Sequence, residues 1–195
     1  MRRLLTILPV IIIVLVMSTH ARAAYDPDVD YSGEMVSAAA AGDFETGNAA
    51  AVARDEKIAN LGLNEKIFSF DDLMYLSKII YAEAGSDWLS DEWKMCVGQV
   101  VLNRVASPEF PDTIRDVIFQ PGQYYNANSR YFANLLPDGR CIECAIRLLN
   151  GERVLDPDVV YQANFKQGGG TSRAFYDTYL GWTYFCYSKN TYLYV

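Results

Sequence analysis

Histidine is nearly absent from this chain. The one copy in 195 residues, His20, stands in an apolar leader whose removal would leave none. Without imidazole there is no Ser–His–Asp hydrolysis, no Cys–His proteolysis or amidation, and no His-ligated zinc or iron centre. Basic charge is also short, with 17 Lys and Arg against 24 Asp and Glu and a net charge of −7. Three of those bases, Arg2, Arg3 and Arg22, precede position 24 and no acid does, so loss of the leader would take the charge to −10. Such a surface repels a phosphate backbone and argues against nucleic acid as a partner. Cysteine is scarce too: Cys96, Cys141, Cys144 and Cys186 are the full set. A zinc site would need all four thiolates, and there is only one C-x-x-C pair, Cys141 with Cys144. No internal repeat is visible.

The first two dozen residues have the layout of a secretory signal peptide. Met1-Arg2-Arg3 is a basic head, Leu4 to Met17 is apolar apart from Thr6 and Pro9, and Ala21-Arg22-Ala23 offers an A-x-A cleavage pattern. An apolar run of this length is short for a bilayer, which needs about 20 residues. The expectation is therefore a cleaved leader over residues 1–23, an exported product, and no lasting membrane partner. Export makes structural disulfides the ordinary reading of four cysteines. Three pairings are open to them. Cys96–Cys186 would tie the helical half to the last strand, and Cys141–Cys144 would be a local bridge at a distorted helix end.

Residues 24–66 and 67–195 differ in kind. The first stretch holds ten alanines, three aromatics, and nine acids against three bases. Alanine buries little area, so this stretch reads as a flexible acidic spacer with at most a transient helix near 49–61. The second holds 12 Tyr, 8 Phe and 3 Trp and reads as the folded domain. There, Ser69 or Asp71 caps a helix with the stripe Leu73, Leu76, Ile79, Ile80, stopping near Gly85. Ser90 caps a second, closed by Pro108, with Asp91 and Glu92 in its first turn. A short third helix runs from Asp112 to Phe119, and a fourth from Pro137 to Asn150, with Gly151 past its end. Strands are expected at 159–164 and 182–187, joined across Gly168-Gly169-Gly170. Mostly helix with a small β-element is an α+β domain.

Glu83 breaks the pattern. At about 100° per residue it falls within roughly 60° of Leu76, Ile79 and Ile80, on the stripe meant for the core. Partial burial and the negative end of the helix dipole both favour its protonated form. A protonated carboxyl at a cleft is what a glycosidic general acid requires. Spacing alone leaves a second reading open, a rim residue paired with Lys78 or Arg104. The neighbourhood adds stacked aromatics and amides suited to sugar faces and hydroxyls: Gln123-Tyr124-Tyr125-Asn126 in a loop, and Tyr161, Gln162 and Asn164 on a strand.

Ile80-Tyr81-Ala82-Glu83-Ala84-Gly85 and Val97-Gly98-Gln99-Val100-Val101-Leu102-Asn103-Arg104-Val105 resemble the SleB-like cell wall hydrolases, the spore cortex-lytic enzyme family. So do Ser107 to Ile114, the block Val117-Ile118-Phe119-Gln120-Pro121-Gly122-Gln123-Tyr124, the stretch Ala145 to Gly151, the Tyr161–Asn164 strand and Tyr184-Phe185-Cys186. The resemblance spans about residues 72–187. It implies a fold related to lysozyme and lytic transglycosylases, and cleavage of peptidoglycan glycan strands between N-acetylmuramic acid and N-acetylglucosamine. It maps the catalytic glutamate onto Glu83 and places Gln123, Tyr124 and Asn164 in the glycan groove. Where the family has a second glutamate, in a Gly-Glu-Pro segment, this chain has Asp87 followed by Trp88. It is also two residues longer between Glu83 and the Val-Leu-Asn-Arg block.

The expected enzyme is thus a monomer that needs no cofactor or metal and takes peptidoglycan as its partner. Glu83 is its acid, with Asp87, Gln123, Tyr124, Tyr161 and Asn164 along the substrate. A single carboxylate favours a lytic transglycosylase. A second one, Asp87, would make it a muramidase-type hydrolase. The rival classes are a non-catalytic glycan-binding module and a thiol–disulfide protein built on Cys141 and Cys144.

Overall fold

The computed structural model describes residues 30–62 and 67–194. The leader over 1–23, and residues 24–29 and 63–66 of the stretch read as a spacer, lie outside them. Among the described residues, seven α-helices precede a three-stranded antiparallel sheet, an α+β order. The helices are α1 Tyr31–Ala41, α2 Phe44–Leu61, α3 Phe70–Ala84, α4 Asp91–Val105, α5 Ile114–Phe119, α6 Arg130–Asn134 and α7 Gly139–Leu149. The strands are β1 Val159–Ala163, β2 Thr171–Asp177 and β3 Gly181–Tyr187, in the order β1-β3-β2.

Helix α4 is the axis of the molecule. Its apolar residues Cys96, Val97, Val100 and Val101 are fully buried, and α3 and α7 pack on it. Gly98 makes this possible, because a Cβ there would come within 2.6 Å of Leu148 on α7 and 2.8 Å of Ile80 on α3. Burial on every side also encloses polar groups, and each helps join α4 to another element. Asn103 Nδ2 donates to the carbonyls of Asp156 and Val159 at 2.7 and 2.9 Å, and Arg104 Nε to Val160 at 2.7 Å. These bonds set the edge of the sheet against the helical core.

The starts of α3 and α4 follow the sequence. Ser69 and Asp72 form a reciprocal capping box, and the Ser90 hydroxyl accepts from the Trp93 N–H. The third helix begins one cap later than expected, with Thr113 rather than Asp112 in that role. The glycine run does not lead from one strand straight to its partner. It leads to β2, whose alternation sets Phe175 against the buried Trp93 and turns Tyr176 outward. Strand β3 then returns between the two.

Two expectations are corrected here. Residues 31–61 are not a flexible spacer but two capped helices packed on the domain, with Met35, Ala38, Ala39, Ala50 and Ala51 in the shared core. Alanine buries little area, but it lets helices approach closely. At Gly47 a Cβ would lie 2.3 Å from the Phe70 ring, so Phe70 seats against bare backbone. Arg54 adds a second tie, lying 4.2 Å over the Phe68 ring and donating to the Phe68 carbonyl at 2.6 Å. The disulfides are likewise absent, and Cys96, Cys141, Cys144 and Cys186 are free and buried. Cys141 and Cys144 share the regular first turns of α7, whose cap Asp138 holds the Cys141 N–H at 2.7 Å. Helical geometry there keeps the pair from the close approach a bridge needs. All four serve as small apolar core side chains.

Candidate active site

The stripe Leu73, Leu76, Ile79, Ile80 is wholly buried, and Glu83 stands where α3 emerges from the core. The helix ends at once, and the turn beyond it is held from two sides. Lys94, buried on α4, extends its ammonium to the Ala84 carbonyl and, at 3.0 Å, to that of Ser86. Helix α3 has no basic residue in its own last turn, so Lys94 supplies the cation its C-terminal carbonyls favour. From α7, Arg140 donates to the carbonyls of Asp87 at 2.6 Å and Leu89 at 3.2 Å.

This turn forms one wall of a cleft of about 410 Å³ whose lining includes Tyr81, Glu83, Asp87, Trp88, Tyr131 and Leu180. The opposite rim is the β2–β3 hairpin turn. Trp88 Nε1 donates to Asp177 Oδ2 at 3.1 Å, and its ring meets Tyr179 at 6.2 Å between centroids. Asp177 Oδ1 also accepts from the N–H groups of Tyr179 and Leu180, which fixes the hairpin tip.

Glu83 reaches solvent through this cleft. The atoms around it nevertheless withhold enough water to raise its carboxyl above the ordinary glutamate range. Asp43, Glu152 and Asp177 are moved the other way by hydrogen bonds from Thr46, Arg147 and the hairpin backbone. The two partners that the rim reading gave Glu83 are engaged elsewhere. Lys78 donates instead to the Ala133 carbonyl at 3.0 Å and Arg104 to Val160, and Glu83 forms no ion pair among the described residues.

The partner that Glu83 has comes from the sheet. Gln162 Nε2 approaches Glu83 Oε2 at 3.3 Å, across 79 residues of sequence. Tyr124 lies close enough to feel both Glu83 and Arg104. Burial raises its hydroxyl above the usual tyrosine range, the Arg104 guanidinium opposes that, and the Glu83 carboxylate adds to it. Arg104 sits 5.5 Å from the centre of the Tyr124 ring. The Tyr124 hydroxyl, Gln162 Oε1 and Arg104 Nη1 are buried with no hydrogen-bond partner among the described residues. That leaves capacity to hydrogen-bond next to Glu83.

Glu83, Asp87, Tyr124 and Gln162 are therefore gathered at one place. Gln123 is exposed on the turn beside Tyr124, and Asn164 is exposed one residue beyond β1. Tyr161 is turned the other way, since neighbours on a strand face opposite sides, and its ring packs edge-on against Phe110 at 6.5 Å. Strand alternation could have singled out Gln162 for this contact. Nothing in the sequence marked Lys94 as a buried support. The thiol–disulfide reading also fails. Burial pushes Cys96 up to about 12, Cys144 up to about 11 and Cys141 higher still, the reverse of what a redox thiol needs.

The α+β domain thus sets one raised carboxyl in an aromatic-rimmed cleft. Residues 90–183 match the model of the family described as cell wall hydrolase. Asn103, Arg104, Tyr124, Gln162 and Asn164 fall within the match, whereas Glu83, Asp87 and Trp88 precede it. Among curated proteins, the chain is similar to a spore cortex-lytic enzyme of Halalkalibacterium halodurans, 30% identical over 94 residues. That alignment covers 44% of this chain and 25% of the relative. A second spore cortex-lytic enzyme, from Oceanobacillus iheyensis, is 31% identical over 84 residues, covering 43% of this chain and 29% of the relative. The alignments thus span little more than a quarter of the length of these relatives. No solved structure matches significantly.

Proposed function

We propose that this chain is an exported enzyme that cleaves the glycan strand of peptidoglycan between N-acetylmuramic acid and N-acetylglucosamine, with Glu83 as general acid. One observation carries the reading: Glu83 opens onto a cleft yet is desolvated enough to hold its proton above the ordinary glutamate range. The cell wall hydrolase domain and the lytic names of its relatives agree with it.

In this mechanism Glu83 protonates the glycosidic oxygen as the C1–O bond opens towards an oxocarbenium ion. Gln162 binds one carboxyl oxygen and leaves the other to carry the proton. Gln123 and Asn164, exposed beside Tyr124 and Gln162 in the chain, supply hydrogen bonds for the substrate's hydroxyl and acetamido groups. The Glu83 carboxylate left behind then accepts the proton of the muramic 6-hydroxyl, whose oxygen closes on C1. Glu83 ends protonated as it began, and the product is a 1,6-anhydromuramic end, so the reaction is a lytic transglycosylation.

Asp87 gives a second reading, because it lines the same cleft. A carboxylate there could direct water to C1 and make the reaction hydrolytic. Digestion of peptidoglycan in ¹⁸O-water, with the muropeptides weighed, decides. Anhydro ends without solvent oxygen are expected. Reducing ends carrying ¹⁸O overturn the transglycosylase assignment and pass the role to Asp87.

A further inference from the structure

The β2–β3 hairpin has two unlike faces. Phe175 and Phe185 point inward, where Phe175 stacks on Trp93 at 5.1 Å and meets Phe185 edge-on at 5.9 Å. The alternate positions Tyr176, Trp182 and Tyr184 turn outward. Tyr176 and Trp182 are cross-strand partners with ring centroids 5.2 Å apart. Trp182 and Tyr184 lie nearly parallel at 5.6 Å. Lys166 stands 5.7 Å from the Tyr184 ring and ends the row. Tyr176 is 60% and Trp182 48% exposed, so this is a surface of open rings.

We propose that this outer face is an accessory glycan-binding surface, which holds a peptidoglycan strand beyond the cleft that contains Glu83. The proposal rests on the glycan reading above. Three observations select the occupant. First, the row runs into the cleft: Leu180, which lines it, and Tyr179, which touches Trp88, sit between Tyr176 and Trp182 in the hairpin. Second, its side chains are flat rings with polar rims, and the neighbouring positions on the same face, Ala163 and Ala174, which pair with Tyr184, carry only a methyl group. Flat rings fit the C–H faces of sugars, spaced by about one sugar along an extended glycan. Third, the chain's net charge of −7 repels an anionic bilayer, the other surface that favours Trp and Tyr.

Binding is separable from cleavage, so the test is made in a Glu83→Gln background. The probes are insoluble peptidoglycan sacculi, read by co-sedimentation, and a soluble N-acetylglucosamine–N-acetylmuramic acid oligomer, read by tryptophan fluorescence. Trp182→Ala should weaken binding to sacculi about tenfold, the loss expected when one stacked ring is removed. Trp182→Phe should restore most of it, and Tyr176→Ala, a second exposed site, should repeat the loss with thermal unfolding unchanged. Sacculus binding equal to that of the Glu83→Gln protein in both alanine variants overturns the proposal. So does a Trp182→Ala change that acts only on self-association, or only on binding to vesicles of anionic lipid. Residual lytic activity of Glu83→Gln would instead count against the catalytic reading and leave the binding result standing.

Discussion

Two glutamates, Glu83 and Glu109, show how the same side chain is put to opposite uses. Glu83 ends α3 at the cleft and receives one long hydrogen bond, 3.3 Å from Gln162. Glu109 follows α4 and is grasped by the end of the chain. Ser188 and Asn190 each donate at 2.6 Å and Tyr194 at 2.8 Å, while Tyr194 also meets the Ser107 hydroxyl. Burial acts to raise both carboxyls. At Glu83 it prevails, whereas at Glu109 the three donors outweigh it and the carboxyl falls below the ordinary range. The fold leaves the carboxyl at the cleft short of donors and saturates the one that follows α4.

The largest effect that follows is at Glu83. Glu83→Gln keeps the shape and removes the transferable proton, so lytic activity should fall by roughly 10²–10⁴-fold. A zymogram on peptidoglycan reads this, and clearing near the wild-type rate would break the comparison at its first term. The sign of the stability change is equally specific. A carboxyl whose folded-state pKa is raised binds its proton more tightly in the native chain, so stability falls as pH rises from the unfolded pKa through the folded one. Glu83→Gln should thus melt higher than the wild type at neutral pH, and the gap should close below the ordinary glutamate range. Activity of the wild type should also decline on the alkaline side as Glu83 ionises.

Much of this contrast was legible in the sequence, and the missing part has a common cause. Glu83 stood out because helical period alone set it beside Leu76, Ile79 and Ile80. Ser69 and Ser90 marked their helices because capping is local. What stayed hidden depends on distant partners. Gln162 reaches Glu83 from the sheet, and Lys94 meets α3 only after α4 folds back. Strand β2 hid because TSRAFYD buries only alternate residues halfway. Helices α1 and α2 were misread for another reason. Their alanines were judged by area alone, while the structure uses their small size, as where Phe70 meets Gly47. Cysteine misled as well: an even number in a chain expected to be exported suggested bridges, and the fold uses all four as core atoms.

Next in size is the support beneath Glu83. Lys94→Met removes the ammonium that satisfies the Ala84 and Ser86 carbonyls and leaves them buried, at a cost of about 3 kcal/mol. Chemical denaturation should show the loss, and Lys94→Arg should recover part of it. A Lys94→Met protein as stable as the wild type would mean that the cleft wall holds without its cation.

Glu109→Gln tests the other carboxyl. The amide has one acceptor oxygen where the carboxylate has two, so at least one of Ser188, Asn190 and Tyr194 loses its bond. A loss of about 2 kcal/mol is expected, with activity retained. The pH dependence is opposite in sign to that of Glu83. A lowered folded-state pKa contributes stability above the unfolded carboxylate range, and that contribution is lost as pH falls through the folded value. The wild type and Glu109→Gln should therefore converge in acid, and a constant gap across that range would refute the clasp.

The smallest effect sharpens the comparison most, because it removes the donor that Glu83 receives from the sheet. Gln162 donates to Oε2, and a donor stabilises the ionised carboxyl. Gln162→Leu removes it, so the pKa of Glu83 should rise further and the alkaline limb of the activity profile should move to higher pH. The bond is long, and a net value of about 0.5 kcal/mol corresponds to a displacement of about 0.4 pH unit. The limb is best followed on a soluble substrate, where binding to sacculi does not interfere. A shift to lower pH would mean that Gln162 acts mainly by excluding water from Glu83, since opening the site would return its pKa towards the ordinary value. Desolvation would then be the sheet's main contribution to the acid, and its hydrogen bond incidental.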